Sequence, residues 1–209
     1  MTLSVRRVDG TARVEAFSDG VIAIIVTLLI FEVRLPDVPA GASSAEFWNA
    51  LVSLAPKFGS FALSFLAVAI YWVNHHHFFS GVTHTDWKLL WANNLLLFFL
   101  AIVPFTTAVL GDHLDQPAAI ALYALDLGLA AAAFSLMGWY VLFRGRLVSE
   151  QIPDAERRFE FRRSLIGTAL YLLSAPLAFL APAVALALFV ILPITYVVPN
   201  LLRGNREPA

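Results

Sequence analysis

The chain has 209 residues, 59% of them hydrophobic and only 14% charged, with a formal net charge of -1 and no cysteine. A mean hydropathy of +0.76 leaves too little polar surface for a soluble globular domain, so the composition is that of a membrane protein. The lack of cysteine excludes disulfides, thiolate metal sites and cysteine nucleophiles.

A hydrocarbon core needs about 20 apolar residues per crossing helix. Taken in chain order, runs of that kind predict helices at roughly 14–34, 56–79, 87–110, 117–143, 163–181 and 183–202, with a lesser amphipathic piece near 44–55. Read as one, the last two would form a rod of about 40 residues at 1.5 Å each, twice the hydrocarbon thickness, so Pro182 marks a turn. Pro104, Pro176, Pro193 and Pro199 interrupt spans, which membrane helices tolerate where neighbours satisfy the freed carbonyls. The expected fold class is all-α: one polytopic domain over 1–209 with six transmembrane helices.

Lys and Arg set the orientation, because the side that retains positive charge is normally the cytoplasm. Arg6, Arg7 and Arg13 precede the first span and Lys88 follows the second. Arg144, Arg146, Arg157, Arg158, Arg162 and Arg163 surround the loop after the fourth, and Arg203 and Arg206 follow the sixth. Only Arg34 and Lys57 lie opposite. Six spans with both termini cytoplasmic satisfy this pattern. "PAGASSA" offers the small residues of a leader cleavage site, but such a leader would carry Glu15 and Asp19, and the five spans left would conflict with the charges.

The first span, "RVEAFSDGVIAIIVTLLIF", leaves an acid where polar sequence turns apolar. At about 100° per residue, Arg13, Phe17, Gly20, Ile24, Thr27, Leu28 and Phe31 fall on one stripe. Asp19 lies on the other side with Ile22, Val26, Leu29 and Ile30, so it is expected to point into protein. A bare charge at membrane depth costs several kcal/mol on any scale, so Asp19 needs donors. The best supply is "YWVNHHHFF" in the second span, where Trp72, His75, His76 and Phe79 share a side, and the Asn93 and Asn94 pair in the third. All are expected near the cytoplasmic ends of their helices. That leaves Trp72, a histidine of 75 or 76, and Asn93 or Asn94 as the candidate partners.

"RVEAFSDG" resembles the R-x-x-x-F-S-D signature that opens the first helix of the transmembrane protein 175 family of potassium channels. The following "VIAIIVTLLIFEV", the Trp and His pair of the second span and "VPFTTAVLGDH" at the end of the third resemble the prokaryotic branch, as does the six-span length. Animal members carry two six-helix repeats; the F-S-D motif occurs once here. The resemblance therefore implies a homotetramer in a prokaryotic inner membrane, with first helices lining the pore. It also implies a cation channel with potassium as permeant, proton permeability allowed, no cofactor and no T-V-G-Y-G filter; the sequence contains no such filter. Carried over, Ile24 forms a narrow hydrophobic constriction, Thr27 offers a hydroxyl beyond it and Leu28 forms a second apolar ring. Phe31 stands where an aliphatic residue is expected. Arg13, Ser18 and Asp19 hold the helix, with Phe17 and Gly20 completing the motif.

Other polar features carry weaker signals. Three successive histidines diverge by about 100° each and do not converge on one metal ion. Asp126, within "ALYALDLGLAAAA", is either a proton site or an acid paired inside the bundle. Gly128, Ala132 and Gly138 suggest close helix packing. Asp112, His113 and Asp115 form an acidic loop that either draws cations or is merely solvated. The Arg-rich stretch from Arg144 to Arg163 suits anionic lipid better than nucleic acid. The competing class is a proton-coupled secondary transporter relaying protons through Asp19, Asp126 and the histidines, but no inverted repeat is visible. No nucleophile, base and orienting group can be assembled for an enzyme.

Overall fold

A computed structural model describes residues 10–145, 147, 148 and 153–203, with backbone alone at 156 and 195–203. The described residues form seven α-helices: α1 (Ala12–Leu28), α2 (Ser44–Val52), α3 (Ala55–Ser80), α4 (Trp87–Asp112), α5 (Pro117–Trp139), α6 (Asp154–Leu180) and α7 (Pro182–Arg203). No strand occurs among them. Five spans are long and apolar enough to cross a membrane. The 22 residues of α7 reach about 33 Å, also sufficient, although its described apolar part ends at Ile194.

Helix boundaries follow local chemistry. The Ser43 hydroxyl accepts from the Glu46 amide at 3.3 Å while the Glu46 carboxylate accepts from the Ser43 amide at 2.7 Å, a reciprocal cap that starts the short α2. Pro56 and Pro117 sit in the first turns of α3 and α5, where a missing N–H costs nothing. Asp86 caps α4 by accepting from the Leu89 amide at 2.8 Å, and its other oxygen accepts from the Tyr140 hydroxyl at the far end of α5. Beside it, Thr83 bonds the Leu147 carbonyl through both its amide, at 2.8 Å, and its hydroxyl, at 2.9 Å. The α3–α4 turn is thereby fastened to the segment that follows α5.

Two ends depart from expectation. α1 tightens at Leu29 into a single 3-10 turn through Glu32, and the chain leaves the helix at Val33, short of the expected Arg34. α6 begins nine residues before 163: "DAERRFEFRRS" is polar enough to escape a hydropathy reading yet has ordinary helix formers throughout. Arg157, Arg158 and Arg162, which lie before the expected span, are therefore helical. Arg6, Arg7, Arg146 and Arg206 lie outside the described residues. The turn at Pro182 is present, with Ala181 outside the helical region at φ -150 and ψ 74.

α5 is the central element, packed on α4 and α6, with 67% of its apolar stretch buried. Gly128 makes that possible: a Cβ there would lie 2.6 Å from Leu172 Cδ2 on α6. Gly138 plays no such part, since the nearest atom to its Cβ position is Phe78 Cε2 at 4.0 Å. α1 is peripheral, packed on α3 and α4, with only 22% of its span buried. Near the ends of α3 and α4 away from the Asp86 cap, Lys57 pairs with Asp112 at 2.6 Å, which removes Asp112 from the free acidic set.

Candidate pore helix and its polar clasp

α1 seats itself with the spacing four, three, four. Ser18, Ile22, Ile25 and Leu29 are all buried against α3 and α4. The sequence pattern placed Asp19, Val26 and Ile30 on this face and omitted Ile25. The 100° step explains the correction, because Asp19 and Ile30 stand about a quarter turn or more from the middle of the ridge that Ser18, Ile22, Ile25 and Leu29 form. Asp19 is exposed and Ile30 is 45% exposed, both on the flank. Opposite the ridge, Phe17, Ile24, Leu28 and Phe31 are 57%, 60%, 44% and 63% exposed, and Arg13, Gly20 and Thr27 lie bare beside them. The 3-10 turn sets Phe31 more nearly above Leu28 than an α-helix would, since its residues three apart eclipse.

Two polar ties fix α1 to its neighbours. In the buried one, Asn93 Nδ2 on α4 donates to Ser18 Oγ at 2.9 Å, and Asn93 Oδ1 meets His75 Nε2 on α3 at 2.9 Å. An amide oxygen only accepts, so His75 carries its proton on Nε2. Ser18, His75 and Asn93 are each at most 1% exposed. At the flank, Trp72 Nε1 donates to Asp19 Oδ1 at 2.9 Å. Adjacent residues of one motif thus reach different partners: the serine turns inward to an amide, the acid sideways to an indole.

Of the candidate partners for Asp19, Trp72 alone bonds it among the described residues; the histidine and the asparagine serve Ser18 instead, with His75 and Asn93 as the inward pair. His76 is exposed and stacks on Trp72, ring centroids 6.2 Å apart, without bonding Asp19, and Asn94 is exposed on another face of α4. Arg13 is exposed and makes no ion pair among the described residues. A Cβ on Gly20 would meet nothing within 4 Å in the subunit. No group of three metal-ligating side chains occurs among the described residues.

A second polar cluster crosses the bundle interior and was only partly foreseen. Thr107 donates to Ser64 at 2.7 Å, and Ser64 shares a hydrogen bond with Tyr123 at 2.9 Å. Thr106 donates to Asp126 Oδ2 at 2.8 Å, while Asp126 Oδ1, also buried, has no partner among the described residues. The adjacent threonines of "VPFTTAVL" were the available signal, because hydroxyls in an apolar helix mark helix contacts.

Comparison with known proteins takes in these helices. The family model described as "Endosomal/lysosomal potassium channel TMEM175" matches residues 13–104. A potassium channel of Streptomyces collinus is 36% identical over 205 residues, covering 95% of this chain and 97% of that protein. The chain belongs to the TMEM175 family. The crystal structure of a TMEM175 homolog from Chamaesiphon minutus, titled a lysosomal potassium-selective channel, superposes with a TM-score of 0.79 at 30% identity, over 90% of this chain and 97% of that one. The human TMEM175, named an endosomal/lysosomal proton channel, is 24% identical over 94% of this chain, which spans 41% of its length. These relatives are ion channels, not enzymes. The TMEM175 family match begins at Arg13 and ends at Pro104, so it includes every residue of the clasp, Ser18, Asp19, Trp72, His75 and Asn93.

Proposed function

We propose that the protein is a potassium-selective leak channel of a prokaryotic inner membrane, a homotetramer whose four α1 helices surround the pore, with both termini cytoplasmic. The observation that carries this is the exposed stripe of α1, directly opposite the ridge that seats it on α3 and α4. One helix encloses no conduit. Closed rotational symmetry brings the same stripe to one axis from every subunit, and the motif match gives that arrangement precedence over lipid contact. The open space at Gly20 suits close approach of a neighbouring copy.

In this arrangement Ile24 forms the hydrophobic constriction, and a ring of such side chains closes by dewetting without a charged gate. Thr27 follows one turn on. Its hydroxyl donates to the Ile24 carbonyl at 2.8 Å, so lone-pair density is what remains to face the axis, which suits a cation and not an anion. Leu28 and Phe31 complete two further apolar layers. Ser18, Asp19, Trp72, His75 and Asn93 hold the helix in register from behind, while Arg13 and Gly20 act between subunits. The permeant is potassium, with no cofactor. Proton current is the second permeation to measure, since the human relative is named a proton channel.

Flux from proteoliposomes under an imposed potassium gradient tests the reading. Passive, uncoupled potassium movement is expected, and Ile24→Asn raises the leak and weakens preference over sodium. Single-channel currents unchanged by Ile24→Asn refute the constriction. Strict one-for-one exchange with protons refutes the channel in favour of a carrier.

A further inference from the structure

Between α3, α5, α6 and α7 lies a partly open cavity of about 530 Å³, to which α1 and α4 contribute no lining residue. α3 lines it from Ala67 to Gly81 and α6 from Arg157 to Tyr171, about 14 residues on each wall. At 1.5 Å per residue that is about 21 Å, more than the roughly 15 Å of hydrocarbon in one leaflet. The slot therefore runs from the membrane surface towards the midplane.

Its two ends differ in chemistry. The deep end is walled by groups such as Ala67, Ile70, Phe134 and Pro193. The hydroxyls along it are engaged: Ser135 bonds Ser164 at 2.6 Å and Thr168 at 2.9 Å, and Tyr71 donates to the Leu127 carbonyl at 2.9 Å. The outer end carries His77, Arg157, Glu160 and Arg163, the charged and titratable groups lining the mouth. Among the described residues Glu160 is the single acid lining the mouth, paired with Arg163 at 3.9 Å. An apolar slot of leaflet depth ending in two guanidinium groups complements a molecule with an acyl tail and an anionic head. A soluble anion would use only the mouth, and an extended peptide would need backbone partners that the engaged hydroxyls do not supply.

We propose that this cavity binds one anionic phospholipid of the leaflet at the arginine end, its phosphate at Arg157 and Arg163 and one acyl chain lying between α3 and α6 towards Pro193. The site stands apart from the pore helix, and its test reads bound lipid, so it survives or falls independently of conduction.

The full-length protein is taken from bilayers of equal phosphatidylcholine and phosphatidylglycerol, and retained lipid is counted by native mass spectrometry. One phosphatidylglycerol per subunit is expected. Arg157→Gln with Arg163→Gln lowers its affinity about 30-fold, as two basic groups near an anionic surface imply. Arg158→Gln with Arg162→Gln removes equal charge from the same helix at exposed positions outside the cavity, and leaves retention within about threefold. Ala131→Phe fills the slot with both arginines intact and abolishes retention, which keeps the test decisive if the arginine pair fails to fold. Equal loss in both arginine pairs overturns the proposal, as does phosphatidylcholine retained as well as phosphatidylglycerol, a second copy seated in the cavity, or unchanged retention in Ala131→Phe.

Discussion

Asn93→Ala probes the clasp most directly. The amide makes two hydrogen bonds of 2.9 Å, to Ser18 and to His75, where all three side chains are sealed from solvent. Side-chain hydrogen bonds between membrane helices average about 0.6 kcal/mol and reach about 1.7, so the two bonds account for about 1–3 kcal/mol. Ser18 can turn its hydroxyl to its own helix backbone. His75 has no such recourse for Nε2, and an orphaned buried donor adds about 1–3 kcal/mol. The expected loss is about 2–6 kcal/mol. Asn94→Ala, one residue on but exposed, should cost less than about 0.5 kcal/mol. Reversible unfolding in mixed micelles, followed by circular dichroism, measures both, and Ser18→Ala closes a double-mutant cycle with an expected coupling of about 1 kcal/mol. Equal costs at 93 and 94, or strict additivity with Ser18→Ala, would refute the buried tie.

Three further outcomes follow from the same geometry. Asp126→Asn keeps an acceptor for Thr106 and removes an ionisable group with an unpartnered oxygen, so unfolding should show no loss or a gain of about 1–2 kcal/mol. Potassium flux in that variant should stay within about twofold, because Asp126 bonds Thr106 between α4 and α5 and not the proposed pore helix; a large fall in flux at unchanged stability would make it a proton site. Gly128→Ala should cost about 1–3 kcal/mol, since the new methyl meets Leu172 Cδ2 at 2.6 Å and its backbone nitrogen at 3.2 Å, and Leu172→Ala in the same chain should recover most of it. Lys57→Met should destabilise the α3–α4 end by less than about 1 kcal/mol, because its bond to Asp112 is half exposed; a larger loss in unfolding would mean that end is drier than its exposure indicates.

The six long helices were legible because apolar run length is a one-dimensional quantity, fixed by hydrocarbon thickness. The ends were less so. The tightening at Leu29 and the polar start of α6 depend on local geometry that hydropathy ignores. At the clasp the motif gave Ser18 and Asp19, yet could not choose between His75 and His76 or between Asn93 and Asn94. Neighbours on a helix differ only by a rotation of about 100°, and the rotation that counts is measured against another helix. Ile25 was missed for the same reason: no polar residue flags it, and only its burial in the packing of α1 on α3 and α4 shows it to belong to the seated face.

The distribution of contacts along α1 bears on how a gate there would move. Among the described residues its side-chain hydrogen bonds to the other helices fall at Ser18 and Asp19, in the first half of the helix. Beyond them Ile22, Ile25 and Leu29 are held by dispersion alone, and dispersion contacts between apolar side chains exchange partners at little cost where hydrogen bonds do not. Ile24 lies about 9 Å along the axis from Ser18 and Leu28 about 15 Å. A tilt that leaves the clasp intact therefore displaces Leu28 further than Ile24, and both further than Phe17. The proposed pore would widen from the layer of Leu28 inwards, pivoting on the serine and aspartate of the motif. Weakening the clasp should then raise the leak even with Ile24 untouched, so Asn93→Ala links the stability measurement to conduction: potassium flux should rise as the tie is lost, and a destabilised variant with unaltered flux would show that the pivot lies elsewhere.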